Sequence, residues 1–287
     1  MNELLNLTTK LSYLRTHPGF RERPARTVAR LISWRLQCLV GSGSTVDLTP
    51  GGPKLFLPPE WRGTSKTIYA FRDQYERELD YFTKAIRPGA VVVDVGANYG
   101  IYTVLAAGQV GALGKVIAIE PAAAACRILR RNVRINHLTN VQAFQCALSD
   151  RPGAARLYHH PDPSRNSFGK ERQSSVRFEE VPVRTLDDLL AEQGVQHVDF
   201  VKVDAEGAEE LIFSGAQSLL ARSRPSILFE VNRKAAELIG VSATGAWDLL
   251  SRLDYKFFSI TPDTTLKPLN TLPEGGNVLA MWGQADR

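Results

Sequence analysis

Hydrophobic positions along this chain switch between a strand period and a helix period, and their order predicts strands that feed helices. Val91 to Val95 is β-branched apart from Asp94. Such a run, opened by Pro88-Gly89, predicts a buried parallel strand. It breaks into Gly96-Ala97-Asn98-Tyr99-Gly100 and resumes as a small, apolar run long enough for a helix. Further strands are predicted at Lys115 to Ile119, Val141 to Ala147, Val198 to Val203 and Ser226 to Asn232. Helices are predicted from about Ala122 to Asn136, from Leu186 to Gln193, from Glu209 to Leu220 and over Trp247 to Leu253, with Thr185 as the cap of the second. Ala155 to His160 and the run up to Val183 predict a hairpin around a polar loop.

Upstream, Leu4, Leu7, Leu11 and Leu14 recur at three and four, which predicts a helix over residues 2–17 stopped by Pro18-Gly19. A second helix, beginning after Pro24, places Val28, Leu31, Ile32, Arg35 and Leu39 near one stripe. Thr45 to Leu48 and Lys54 to Leu57 flank Pro50-Gly-Gly-Pro53 and predict a small hairpin. Tyr69 to Ile86 reads as one helix leading into the first central strand, with Glu76 beside the face formed by Tyr75, Leu79 and Phe82. These signals divide the chain into an appendage over 1–65 and a catalytic domain over 66–287.

Composition narrows the class. The 287 residues are 44% hydrophobic and 23% charged, as in soluble globular proteins. With no run of eighteen apolar residues, nothing is expected to span a bilayer. No basic start leads into an apolar stretch and cleavage site, so no secretory signal is expected. Cys38, Cys126 and Cys146 lack ligand spacing and leave one over from any pairing, which suits reduced thiols in a cytoplasmic protein. The net charge of +5 lies wholly in residues 1 to 45, where seven basic residues face Glu3 and Glu22. A neutral remainder argues against a nucleic-acid-binding catalytic face. The arm is left with three readings: packing on its own domain, packing in a homodimer, or contact with an anionic membrane surface.

The chemistry gathers at strand ends. Two glycines four apart let the backbone turn tightly and approach a ligand, and the helix N-terminus behind them favours electron-rich groups. Asp94, where the first strand ends, can accept hydrogen bonds from the loop or from a bound ammonium. Glu120 closes the next strand twenty-six residues on, about the interval at which a carboxylate reaches the two ribose hydroxyls of an adenosine. Asp204, Glu206 and Glu209 follow the fourth strand. Asp204 and Glu206 precede the helix and are assigned to function, whereas Glu209 suits a first helical turn. Lys202 shares a strand face with Asp204 and needs a partner, either Glu230 or Asp204. His159 and His160 open the variable loop. Asp204, Glu230 and Asn232 could ligate magnesium, but Lys202 would compete for the carboxylates, and no metal is assigned.

The loop Asp94-Val-Gly-Ala-Asn-Tyr-Gly100 resembles the S-adenosylmethionine loop of class I methyltransferases. With Ala147-Leu148-Ser149-Asp150, Thr185-Leu186-Asp187-Asp188-Leu189, Val201-Lys-Val-Asp-Ala-Glu-Gly-Ala-Glu209 and Phe229-Glu230, the chain resembles the FkbM family of O-methyltransferases over roughly residues 66 to 282. That resemblance implies an α/β fold: a doubly wound, mostly parallel seven-stranded sheet ending in an antiparallel pair, here Tyr255 to Ile260 and Asn277 to Trp282. It implies S-adenosyl-L-methionine held by Asp94, Gly96, Ala97, Asn98, Gly100, Glu120, Pro121, Leu148 and Asp204. The acceptor would be a hydroxyl of a sugar, glycolipid or polyketide-like metabolite, with Asp204, Glu206, Lys202 and Glu230 as catalytic candidates. Two other readings stand beside it. Glu120 would serve an NAD-dependent oxidoreductase equally well, and a non-catalytic binding protein could use the same fold.

Overall fold

The computed structural model describes residues 17–61, 63–160, 166, 168 and 177–283. Three sheets are present among them. Strands β1 (Ser44–Asp47) and β2 (Lys54–Leu57) form a hairpin. The central sheet uses β3 (Val91–Val95), β4 (Lys115–Ile119), β5 (Val141–Phe144), β9 (Phe200–Val203), β10 (Ser226–Val231), β11 (Tyr255–Ile260), β12 (Leu266–Leu269) and β13 (Gly276–Trp282), in the order β12-β11-β13-β10-β9-β3-β4-β5. From β10 to β5 every pairing is parallel. The three strands beyond β10 are joined by antiparallel pairings. A third sheet sets β6 (Ala147–Leu148) and β7 (Gly153–Tyr158) on either side of β8 (Phe178–Arg184).

The central sheet therefore has eight strands, which corrects the expectation of seven. The added strand, β12, carries Pro268, and a proline that cannot donate to a ladder is tolerated only at such an edge. The expected strand from Val141 to Ala147 is also split. Its last residue leaves the central sheet and pairs with Val183 on β8.

Alternation along the strands builds two cores. Val92, Val116, Phe200, Leu228 and Leu279 face one side, with helices α2 (Pro24–Leu39), α3 (Thr64–Phe71), α4 (Glu78–Ala85) and α5 (Ile101–Val110). Val93, Val95, Ile117, Val201 and Val203 face the other. There they meet α7 (Leu186–Glu192), α8 (Glu209–Ser214), α9 (Gln217–Ser223) and α11 (Gly245–Arg252). Helix α6 (Ala123–Ile135) follows β4, and α10 (Arg233–Ile239) follows β10.

Local sequence explains where expected helices break. The leucine helix over 2–17 lies outside the described residues but for His17. Pro18 opens a short helix, α1 (Pro18–Glu22), rather than stopping one, as suits a proline at the first helical position. The single helix expected from Tyr69 to Ile86 ends at Phe71. Arg72 takes φ 59°, a left-handed conformation that cannot continue a helix, and its guanidinium lies 4.4 Å from the Tyr69 ring centroid. A turn of 3₁₀ helix and a new start at Glu78 follow. The helix expected from Glu209 to Leu220 is two helices. They part at Gly215, where a Cβ would fall 2.1 Å from the Ser149 carbonyl oxygen, so only glycine fits. Asp187 then caps α9, accepting from Ser218 N (2.8 Å) and Leu219 N (2.9 Å).

The hairpin is tied to the sheet by two asparagines one helical turn apart, Asn132 within α6 and Asn136 at its C-cap. Asn132, fully buried, accepts from Phe56 N at 2.7 Å and donates to Phe56 O and to Tyr99 O. Asn136 exchanges the same pair of bonds with Lys54. Side-chain amides thus act as a neighbouring strand for β2, and Asn132 fastens the glycine loop as well. Replacing Asn132 by alanine leaves buried backbone groups without partners and is expected to cost about 2 kcal/mol, measured by urea unfolding. Asn136→Ala, at the solvent edge, should cost less than half of that.

Candidate active site

Beyond the carboxyl ends of β3, β4, β9 and β10 lies a cavity of about 250 Å³. This is where an open α/β sheet binds ligands. Its first wall is the glycine loop. Gly96 has φ +75°, and a Cβ there would stand 1.8 Å from the Asp204 carbonyl oxygen, so only glycine lets β3 and β9 approach at this level. Gly100, at φ +86°, caps α5 in the left-handed region. Ala97, Asn98 and Tyr99 between them line the cavity.

Glu120 forms the second wall. Its carboxylate accepts from Asn98 N and Ala122 N, both at 2.8 Å, which fixes the side chain against the loop. Burial pushes its pKa up to about 7 despite those two donors. Pro121, Cys146, Leu148 and Ile119 add apolar surface beside it.

The third wall is acidic. Asp204, Glu206 and Glu230 all line the cavity. Each offers one carboxylate oxygen, and these lie within 4.8 Å of one another. Burial raises Glu230 to about 9, and Asp204 and Glu206 add to the shift. Its Oε2 is buried and has no hydrogen-bond partner among the described residues. Glu206, at φ 48°, accepts from Asn232 Nδ2 at 3.1 Å. Asn232, weighed in the sequence as a metal ligand, uses its Oδ1 to cap α10 through Ala235 N.

Lys202 lies beneath this wall. It is 1% exposed, stands 3.4 Å from Asp204 Oδ2, and lies 5.2 Å from the centroid of the Tyr102 ring. Burial alone would lower its pKa, but Asp204, Glu76, Glu230 and Asp94 together hold it above the ordinary value. Asp94, its cross-strand neighbour on β3, accepts from Thr103 Oγ1 at 2.5 Å and is raised to about 6, chiefly by burial. Asp94, Gly100 and Lys202 thus support the cavity from behind, whereas Gly96, Ala97, Asn98, Glu120, Pro121, Leu148, Asp204, Glu206 and Glu230 line it.

The sequence sets the exposed side of the expected Tyr69 to Ile86 helix at the mouth of the site, but which residues arrive there, and a second contact beside them, only the structure shows. The break after Phe71 brings Tyr75 and Glu76 onto the cavity, where Tyr102 donates to Glu76 Oε2 at 2.5 Å. Burial raises Glu76 to about 7. Tyr99 donates to Glu60 at 2.6 Å. Period alone placed Glu76 beside a helix face; a lone acid next to apolar positions was the available signal. Neither His159 nor His160 lines the cavity. His159 lies 3.6 Å from Glu179, and the His160 amide donates to Asn166. Glu209 is 4% exposed and accepts from Ala205 N at 2.9 Å, bracing the turn after β9.

A doubly wound sheet with a glycine loop after its first central strand and an acid after its second is the arrangement in which open α/β sheets hold a nucleotide cofactor. The family description Methyltransferase FkbM domain matches residues 94–257, more than half of the chain, and the protein belongs to that family. Methyltransferase sdnD of Sordaria araneosa is 29% identical over 154 residues, covering 43% of this chain and 59% of that protein. The 31-O-demethyl-FK506 methyltransferase FkbM of Streptomyces tacrolimicus is 28% identical over 162 residues, covering 46% and 61%. The chain spans about three-fifths of the length of these curated relatives. A crystal structure of methyltransferase FkbM from Methylobacillus flagellatus KT aligns with TM-score 0.44 and 18% identity over 76% of this chain and 54% of that one.

The buried ammonium makes a direct prediction. Lys202→Met removes the one cation among Asp94, Asp204, Glu76 and Glu230 and is expected to destabilise the fold by about 3 kcal/mol at pH 8. The loss should shrink towards pH 5, because Asp94, Glu76 and Glu230, raised to about 6, 7 and 9, can then take protons in place of the ammonium. Denaturant unfolding at both pH values tests this, and a loss independent of pH contradicts it.

Proposed function

We propose that the protein transfers the methyl group of S-adenosyl-L-methionine to a hydroxyl of a small metabolite of the sugar, glycolipid or polyketide-like kind. The observation that carries the reading is the joining, in one cavity, of a buried carboxylate beside a glycine loop and a cluster of three acids. S-adenosylmethionine carries a ribose diol and two positive centres, an ammonium and a sulfonium. A donor set of Glu120 on one side and Asp204, Glu206 and Glu230 on the other suits those groups. Two relatives support an oxygen acceptor by name: the Streptomyces protein above, and the 2-O-methyltransferase NoeI of Sinorhizobium fredii (strain NBRC 101917 / NGR234), 28% identical over 155 residues covering 48% of this chain and 62% of that one.

In this reading the cofactor supplies an activated methyl group, so the chain has to orient the acceptor and remove one proton. Gly96, Ala97, Asn98 and Gly100 shape the loop, Glu120 accepts from the ribose hydroxyls, and Pro121 and Leu148 flank the adenine. Asp94 supports the loop from beneath, and Asp204 with Glu206 faces the positive end of the cofactor and the acceptor. Glu230 is the base. A carboxylate held in a buried site with an unpartnered oxygen binds a proton tightly, which an alcohol acceptor requires. Lys202 opposes the rise in its pKa and so favours the ionised form of Glu230, the form that can take the acceptor's proton. No metal is assigned a role.

Three outcomes follow from these assignments. Calorimetry should show binding of S-adenosylmethionine and of its demethylated product but not of NAD, and Glu120→Ala should weaken it by about 1.5 to 3 kcal/mol. Binding of NAD alone would sink the reading. Because Glu120 must be ionised to accept from both hydroxyls, binding should release protons near pH 6.5. Below the value of about 7, affinity should then fall by up to about tenfold per pH unit. Finally, with an acceptor found by incubating extract with labelled cofactor, Glu230→Gln should lower kcat by about a hundredfold or more while cofactor affinity stays within a few fold. A variant with undiminished turnover would return Glu230 to a structural role.

A further inference from the structure

Helix α2 has two unlike faces. Its inner face is fixed: Trp34 is fully buried and donates to Glu60 O at 2.8 Å, and Ser33 and Gln37 bond the Tyr69 hydroxyl on α3. On the other side, at 100° per residue, Ala25, Val28, Ala29, Ile32, Leu36 and Leu39 fall within an arc of about 100°. Val28, Ile32, Leu36 and Leu39 are 44%, 59%, 58% and 68% exposed, and Val40 beyond them is 80% exposed. A contiguous apolar stripe of this length is what a partner or a lipid surface covers.

The rim of the stripe is basic. On the helical wheel Arg35 lies about 20° beyond the Val28 edge, and Arg26 about 60° beyond the Ala29 edge, past Ser33. Arg35 sits 5.0 Å from the centroid of the exposed Trp61 ring, with Lys66 at 5.9 Å from the same ring. Arg23, Arg26 and Arg30 line a cavity of about 280 Å³ in which Asp47 and Asp73 are the acids. Glu22 is the only acid between residues 17 and 46, and it accepts from Gln74.

We propose that α2 is an interfacial helix that lays this stripe into the headgroup boundary of an anionic lipid surface. The apolar side chains enter the acyl edge, the arginines meet lipid phosphates, and Trp61 sits at the interface. Charge decides between lipid and a second copy of the chain. Helix α2 carries three arginines and no acid. Pairing two copies through the stripe would set arginine against arginine, whereas lipid phosphates supply the missing sign. The docked helix packs on α3, whose Thr64 and Ile68 line the active-site cavity. Lipid docking therefore holds that cavity one helix layer from the surface. The docking itself does not depend on the methyl-transfer reading.

The test is co-sedimentation of the full chain with vesicles of equal parts phosphatidylglycerol and phosphatidylcholine, and with phosphatidylcholine alone, at low and high salt. Binding to the anionic vesicles that weakens with salt is expected. Ile32→Glu with Leu36→Glu should weaken it by about tenfold or more with an unchanged melting temperature. Arg26→Gln with Arg35→Gln should weaken it several-fold on anionic vesicles, and decides the matter if the first variant does not fold. Three results overturn the proposal: no binding to anionic vesicles, binding that neither variant weakens, or a dimer in solution that the Glu variant splits into monomers.

Discussion

A single buried ammonium conditions the site. Lys202 enters the interior from β9, on the same face as Asp94, and nothing neutral could occupy its place without leaving several carboxylates in low dielectric with no counter-charge. Its pairing with Asp204 is close but not hydrogen-bonded in good geometry, since Nζ has no hydrogen-bond partner among the described residues. The attraction is therefore shared among acids contributed by β3, the segment before α4, β9 and β10. Elements distant in sequence are held at one point because they answer the same charge.

The same constraint shapes the cavity above it. Burial pushes Glu76, Glu120 and Glu230 well above ordinary carboxylate values, so each is poised to gain from a positive or hydrogen-donating ligand. A cavity lined by such groups favours ligands that bring cationic centres and hydroxyls. Stability and recognition thus share one origin, the removal of acids from water around a cation that satisfies them only in part.

The N-terminal segment belongs to this arrangement through packing. Trp34, Leu55 and Leu57 lie in one continuous cluster with Phe82, Val92 and Phe200. Asn132 joins β2 to the backbone of Tyr99 in the glycine loop. Helix α3, held by α2, lines the cavity. The arm's inner face and the glycine loop therefore share one packed cluster, while its outer face is exposed.

Much of this was legible in the chain itself. β-branched runs closed by Gly96, by Glu120 and by Asp204 located three central strands and the edge where their acids meet, because strand period and glycine turns are local properties. The hairpin over β1 and β2, the Thr185 cap and the start of α2 after Pro24 were equally local. The eighth strand was not, since Leu266–Leu269 with its proline has strand character only beside β11. Nor were the breaks at Arg72, whose guanidinium lies over the Tyr69 ring, and at Gly215, which the Ser149 carbonyl approaches. Glu76 reached the cavity through the first of those breaks, and the exposed stripe of α2 emerged only when Trp34 was seen to fix the opposite face. Periodicity marks a helix as amphipathic, but which neighbours consume its apolar positions is decided by packing between segments far apart in the chain.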